Sequence, residues 1–193
     1  MNKEYKIAQI GHPILRQPTR IVSEKDLKTS KIQNIIDELI YLMRDFNGAG
    51  LAANQIYHSY KICVIEIKNN SRYSFMPEIP LKVLINPKIK ILNKFKTFSS
   101  FEGCLSVPNI RGRVTRYCEI NVDYLDREGK VFSEDVYGVS SIVYQHEIDH
   151  LNGTLFTDLI DDNKSIITYE NYKDYYIDRY EKEMLELIKK YGS

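Results

Sequence analysis

No apolar run in this chain approaches the roughly 20 residues a membrane-spanning helix needs. The opening "MNKEYKIAQIGHP" lacks the apolar core of a secretory signal and is not arginine-rich and acid-free like a transit peptide. An excess of one charge is missing too: 27 Lys and Arg face 26 Asp and Glu, for a formal net charge of +1. That balance provides neither a basic surface for nucleic acid nor an acidic solvating tail. Cysteine is scarce and odd in number, at Cys63, Cys104 and Cys118. Three thiols without a secretion signal argue against a disulfide framework and for a reducing, cytoplasmic compartment. At least one thiol is therefore available as a ligand or nucleophile. Internal repeats and low-complexity linkers are absent as well. What remains is 193 residues, 43% of them hydrophobic, enough for one compact domain with its own core over 1–193.

The pattern predicts an α+β fold, with antiparallel or mixed sheets around a central helix and with a helix toward each end. "SEKDLKTSKIQNIIDELIYLMRDFNG" reads as one early amphipathic helix, with Ile32, Ile35, Ile36, Leu39, Leu42, Met43 and Phe46 at helical spacing and Asn47-Gly48 ending it. "AGLAANQ" reads as a loop of small residues. "KICVIEI" (61–67) is a buried strand, "NNSR" (69–72) a turn and "MPEIP" (76–80) a loop. "LKVLINPKIKIL" (81–92) is a strand in which Pro87 places a break or an edge. "CEINVDYLD" (118–126) alternates as a half-buried strand; "REGK" turns, and "VFSEDV" is a strand again. A last helix over roughly 167–190 carries Tyr169, Tyr172, Tyr176, Tyr180, Met184, Leu187 and Ile188 as a packing stripe. Its charges are mixed, six acidic against five basic from Glu170 to Lys190, which speaks against an RNA-binding tail.

Chemistry concentrates in "VSSIVYQHEIDHLNG", a helix with Gly153 as its C-terminal cap. His146 and His150 are one turn apart on a face shared with Val139, Ile142 and Val143, so both imidazoles point inward. Two nitrogens on one side can hold one ion, and Glu147 beside them can take and return a proton. With only four histidines in the chain, that spacing around a glutamate is a specific signal. The third ligand decides the class. A metzincin continuation fails, because position 156 is Phe156. Glu170 lies beyond a polar break on the Tyr-rich helix, and His12 and His58 sit in loop-like surroundings. Cys63 and Cys118 belong to strands, where cysteine is commonly a small hydrophobe. Cys104, in "SSFEGCLSVP", lies outside any periodic strand core; local context favours it without deciding.

Taken together, "GAGLAANQ" (48–55), "EGCLS" (102–106) and "QHEIDH" (145–150), in this order, resemble the three motifs of peptide deformylase. "GHPILRQP" and the "NP" of 86–87 are also similar to that family, and the resemblance runs from about residue 7 to 160. It implies a hydrolase that removes the formyl group from the N-terminal formyl-methionine of nascent peptides. Carried onto this chain, Cys104, His146 and His150 would be the metal ligands, with water as the fourth. Glu147 would be general base and acid, and Gln55 with the backbone N–H of Leu105 would stabilise the oxyanion. The resemblance implies one divalent ion per chain, ferrous iron in the cell, with zinc, nickel or cobalt able to occupy the same site. Docking to the ribosome is left open. Departures are Tyr57, where the family commonly has glycine, Asn54, where proline is frequent, and Ser140 and Ser141, where alanine is common.

The neighbouring residues have a bland reading beside a functional one. Gly48 and Gly50 can simply shape a loop, or can let a peptide backbone approach and pair as an added strand. Outside the motif Gln55 would be a surface glutamine. Glu102 would be a solvated charge, or would orient a ligand or pair with Arg111. Ile142 and Val143 form a natural wall for a methionine side chain, with Leu51 opposite, though core packing explains them almost as well. Two other functions compete. A metallo-amidase of different specificity would have no use for "GAGLAANQ". A binding module with a structural ion would usually supply four ligands, and three are evident.

Overall fold

The structure is a computed structural model and describes residues 7–68, 70, 72 and 75–192. The turn expected over 69–72 lies partly outside them, at 69 and 71. The early helix is two helices, α1 (Glu24–Leu27) and α2 (Ser30–Asp45). The break at Lys28-Thr29 has a local cause: the Ser23 and Thr29 hydroxyls each cap a separate start, accepting from Asp26 N–H at 3.1 Å and Ile32 N–H at 3.4 Å. The predicted stripe of α2 is buried from Ile32 to Met43, while Phe46 is exposed. Asn47 then takes a left-handed φ of +53° and turns the chain.

The segment read as a loop is ordered. Gly50–Ala52 is a strand, β1, and Ala53–Ile56 is a 3-10 helix. It is followed by β2 (Ile62–Ile67) and β3 (Ile79–Ile91). In β3 the expected interruption is a bulge between Ile85 and Lys88, with Asn86 at φ +53° beside Pro87, so the strand bends and continues. Strands β6 (Glu119–Leu125) and β7 (Val131–Tyr137) pair as a hairpin, completing a five-stranded antiparallel sheet in the order β1-β2-β3-β6-β7. A second sheet is formed by β4 (Thr97–Cys104), β5 (Val107–Tyr117) and the short β8 (Ile167–Thr168). Finding β4 corrects the sequence reading of "SSFEGC" as non-periodic. Its inward positions are Phe98, Ser100, Glu102 and Cys104, a regular alternation whose buried side is half polar, at Ser100 and Glu102.

Strand β2 of the larger sheet is apolar on both faces, whereas β6 and β7 keep one polar face outward. Ile62 and Val64 face Ile32, Ile36, Leu39 and Met43 of α2. Cys63, Ile65 and Ile67 face the opposite way, toward Val143, Tyr144, Ile148 and Leu151 of helix α3 (Ser140–Leu151). Helix α3 is not amphipathic: every residue but His146 and Asp149 is buried. It lies between the two sheets and ends at Gly153, whose φ is +79° and whose added Cβ would meet Arg16 O at 2.8 Å. The C-terminal helix also divides, into α4 (Tyr169–Tyr175) and α5 (Ile177–Tyr191), after residues 167–168 have paired with β5. Tyr172, Tyr180 and Met184 are buried against Phe98, Cys118, Val139 and Ile142.

Candidate metal centre

Cys104 ends β4, and His146 and His150 come from α3, so the second sheet and the buried helix bring three donors together. One atom from each of Cys104, His146 and His150 lies within 4.8 Å of the others. The Cys104 Sγ is 3.2 Å from His150 Nε2, and the two imidazole centroids are 4.9 Å apart at 81°. Glu170, His12 and His58 are not in this group. His12 caps a short 3-10 helix and His58 pairs with Glu38 at 3.6 Å.

The surroundings of the Cys104 thiol favour its ionised form. Burial alone would push Cys104 up, but His150 and then His146 hold it well below the ordinary thiol range. Ser106 N–H donates to Sγ at 3.3 Å, and Gln55 Nε2 lies 3.5 Å from it. Gln55 itself is buried and fixed at both ends. Its Oε1 accepts from Ala52 N–H at 2.8 Å, and its Nε2 donates to Ser106 Oγ at 3.0 Å. That bonding orients the amide with its donor toward the sulfur.

His146 turns its other nitrogen away from the cluster: Nδ1 is 2.8 Å from Glu102 Oε2. The same carboxylate receives Arg116 through Nε at 2.6 Å and Nη2 at 3.0 Å, while Arg116 Nη1 reaches Asp149 Oδ2 at 2.6 Å. Burial would raise Glu102, but Arg116 outweighs it and brings the carboxyl down to about 2. Glu102 therefore pairs with Arg116, not with Arg111 as one reading of the sequence had it. The role of Arg116 was missed, although its place two residues after inward-facing Val114 on β5 was the available signal. Ser106, the partner of Gln55, was missed as well.

Glu147 is buried, and burial pushes its carboxyl up to about 7 against the pull of His146 and His150. Its Oε2 has no hydrogen-bond partner among the described residues. A Cβ on Gly50 would lie 2.5 Å from Glu147 Oε1, so the absent side chain at position 50 is what admits this carboxylate. A cavity of about 290 Å³ opens here, lined by Gly50, Gln55, Glu102, Arg111, Ile142 and Val143, among others. Leu51 is not on its wall; it is fully buried in the α2 cluster, because adjacent strand residues face opposite ways. Tyr57 holds a left-handed φ of +66°, the conformation for which glycine is suited, and its ring meets His12 edge-on at 5.2 Å.

The donor set suits a divalent transition metal. A buried thiolate and two imidazoles, one oriented by a carboxylate, are borderline-soft ligands, and three rather than four are present among the described residues. Three ligands beside a buried carboxylate are the geometry of a hydrolytic metal centre. Comparison with known proteins gives the family. The model of the polypeptide deformylase family matches residues 4–165. Peptide deformylase 2 of a Nostoc species is 38% identical over 175 residues, covering 90% of this chain and 96% of its own. A peptide deformylase of Leptospira biflexa is 39% identical, covering 82% and 89%. A Met-Ala-Ser-bound class I type b peptide deformylase from Acinetobacter baumannii superimposes with a TM-score of 0.77 at 34% identity, covering 83% of this chain and 100% of that one. The chain belongs to the polypeptide deformylase family, a family of metal-dependent hydrolases.

Proposed function

We propose that this chain hydrolyses the N-formyl group from formyl-methionyl peptides and releases formate, with 1–193 acting as one catalytic unit on nascent chains in the cytoplasm. The observation that carries the reading is the meeting of Cys104, His146 and His150 within 4.8 Å, beside the buried Glu147. These three residues would hold one divalent ion, which we assign as ferrous iron, with zinc, nickel or cobalt able to replace it. When bound, the ion supplies Lewis acidity that activates water near neutral pH.

The chain's own residues supply the rest. Glu102 accepts from His146 Nδ1, which leaves Nε2 with its lone pair for the cluster. Glu147, with its carboxyl near neutrality, takes a proton from the attacking water and returns it to the departing amine. Gln55 Nε2 and the Leu105 N–H donate to the oxygen that becomes negative as the formyl carbon turns tetrahedral. An uncharged amide held at both ends needs little reorganisation to do so. Gly50 lets the peptide backbone approach along β1, Ile142 and Val143 wall the methionine pocket, and Leu51 anchors β1 from behind.

The test is formate release from formyl-Met-Ala-Ser, with protein purified without oxygen and metal measured in the same sample. Rapid release with about one ion per chain supports the assignment. Bound metal without release from any formylated peptide sinks it.

A further inference from the structure

We propose that the C-terminal helices add a cationic subsite at the cavity mouth. It takes the carboxylate of an acidic side chain one or two residues beyond the substrate's methionine. The proposal rests on the deformylase reading above. Helix α4 lies beyond the residues 4–165 matched by the family, yet Tyr169, Tyr172 and Lys173 line the same cavity as Cys104 and Glu147. This stretch therefore shapes what reaches the site without belonging to the motifs that build it.

Three cations gather around one ring there. Arg111 Cζ is 4.7 Å from the Tyr169 centroid, Lys173 Nζ 5.1 Å and Arg72 Cζ 5.9 Å. All three line the cavity. The ring face offsets part of their mutual repulsion, but it supplies no acceptor for a planar guanidinium. Arg111 is the telling member. It is 7% exposed, and Nη1 donates to Ile110 O at 3.1 Å. Among the described residues no carboxylate stands within ion-pair distance of Arg111 or Lys173. Buried guanidinium groups are normally paired.

Nor, among the described residues, does the cavity hold a spare acid. Of its two carboxylates, Glu102 is engaged by Arg116 and His146, and Glu147 lies beside the metal cluster. The acids of α4, Glu170 and Asp174, do not line it. Its mouth thus favours an anion, while the wall beyond is apolar, with Phe75, Phe101 and Ile177. A peptide's C-terminal carboxylate has the same chemistry as an acidic side chain, but in a nascent chain that terminus is far from the formyl group.

The experiment compares kcat/KM for formyl-Met-Asp-Ser-amide and formyl-Met-Ala-Asp-amide with their Asn counterparts, with formyl-Met-Ala-Ser as free acid and amide in a parallel arm. Calorimetry measures binding of the unformylated Met-Asp-Ser-amide and Met-Asn-Ser-amide to the metal-loaded protein. We expect at least one acidic peptide to be preferred by about five- to tenfold at low salt, with most of that lost in 0.5 M NaCl. Lys173→Met should reduce the ratio by about threefold, and Lys173→Glu by more. Because Lys173 is exposed, thermal melting of each variant checks that the fold is kept.

Equal values for every Asp and Asn pair, or a preference indifferent to both Lys173 variants, would overturn the proposal. So would a gain seen only with the free C-terminal acid. No formate from any peptide, with the calorimetric preference intact, would remove the deformylase reading and leave the carboxylate subsite standing.

Discussion

The Glu102 carboxylate stands 2.8 Å from Nδ1 of His146 and is itself gripped by Arg116 through two nitrogens. The His146 imidazole is thus held by a buried ion pair, which restrains its ring plane. Glu102→Gln keeps the size but weakens both bonds. Metal affinity should fall about 10- to 100-fold. Competition with a chelator checks this; an unchanged affinity would mean that Glu102 serves the fold alone.

The same carboxylate sets a pH dependence for the metal-free protein. Its folded value near 2 lies below its ordinary value of 4.5. A depressed carboxyl contributes stability above the unfolded value and loses it as pH falls toward the folded one. About 3 kcal/mol should disappear between roughly pH 4.5 and pH 2. Urea unfolding of wild type and Glu102→Gln over that range should show two curves that converge at the acid end.

Gln55 and Glu147 should fail in different ways. Gln55→Ala removes one donor and should lower kcat by a few hundredfold, with metal content intact. Glu147→Gln removes the proton carrier and should cost roughly 10²- to 10⁴-fold, again with metal retained. Turnover and metal content measured on the same samples separate lost chemistry from a lost site. A Glu147→Gln protein as active as wild type would end the general-base assignment.

Tyr57 occupies a left-handed position at φ +66° and is 42% exposed. An L-residue there costs about 1–2 kcal/mol, and glycine recovers this but gains freedom when unfolded. Tyr57→Gly should leave stability within about 1 kcal/mol of wild type. Tyr57→Val should lose more than about 1 kcal/mol, since a branched side chain fits this conformation poorly. Denaturant midpoints at constant m-value decide the matter.

A ferrous ion beside the Cys104 thiolate should be sensitive to oxygen. Activity in air should decay faster for the iron form than for the nickel or cobalt form. Equal half-lives for the two forms would contradict that assignment.

How much of this was legible depended on whether a position advertised itself by type or by surroundings. The α2 stripe, β2 and the β6–β7 hairpin announce themselves because their inward residues are apolar. Strand β4 does not, since Ser100 and Glu102 face inward and a pattern read on hydrophobicity cannot see them. The site followed the same rule. His146, Glu147 and His150 sit at one-turn spacing and need no partner to be noticed. Arg116 is meaningful only once β5 has been laid beside β4, 14 residues away from Glu102 in the chain. Caps explain the split between α1 and α2, but no glycine or proline marks the break at Tyr176.

Helix α3 has almost no face left for solvent, and its histidines meet a sulfur delivered by a different sheet. A chain in which that sheet has come away from α3 can offer an ion two nitrogens but no thiolate. The spectrum of a bound cobalt ion would therefore register whether the layers are joined. Its sulfur-to-metal charge-transfer band should vanish at the same denaturant concentration that separates the sheets, making the centre a built-in probe of assembly as well as a place for chemistry.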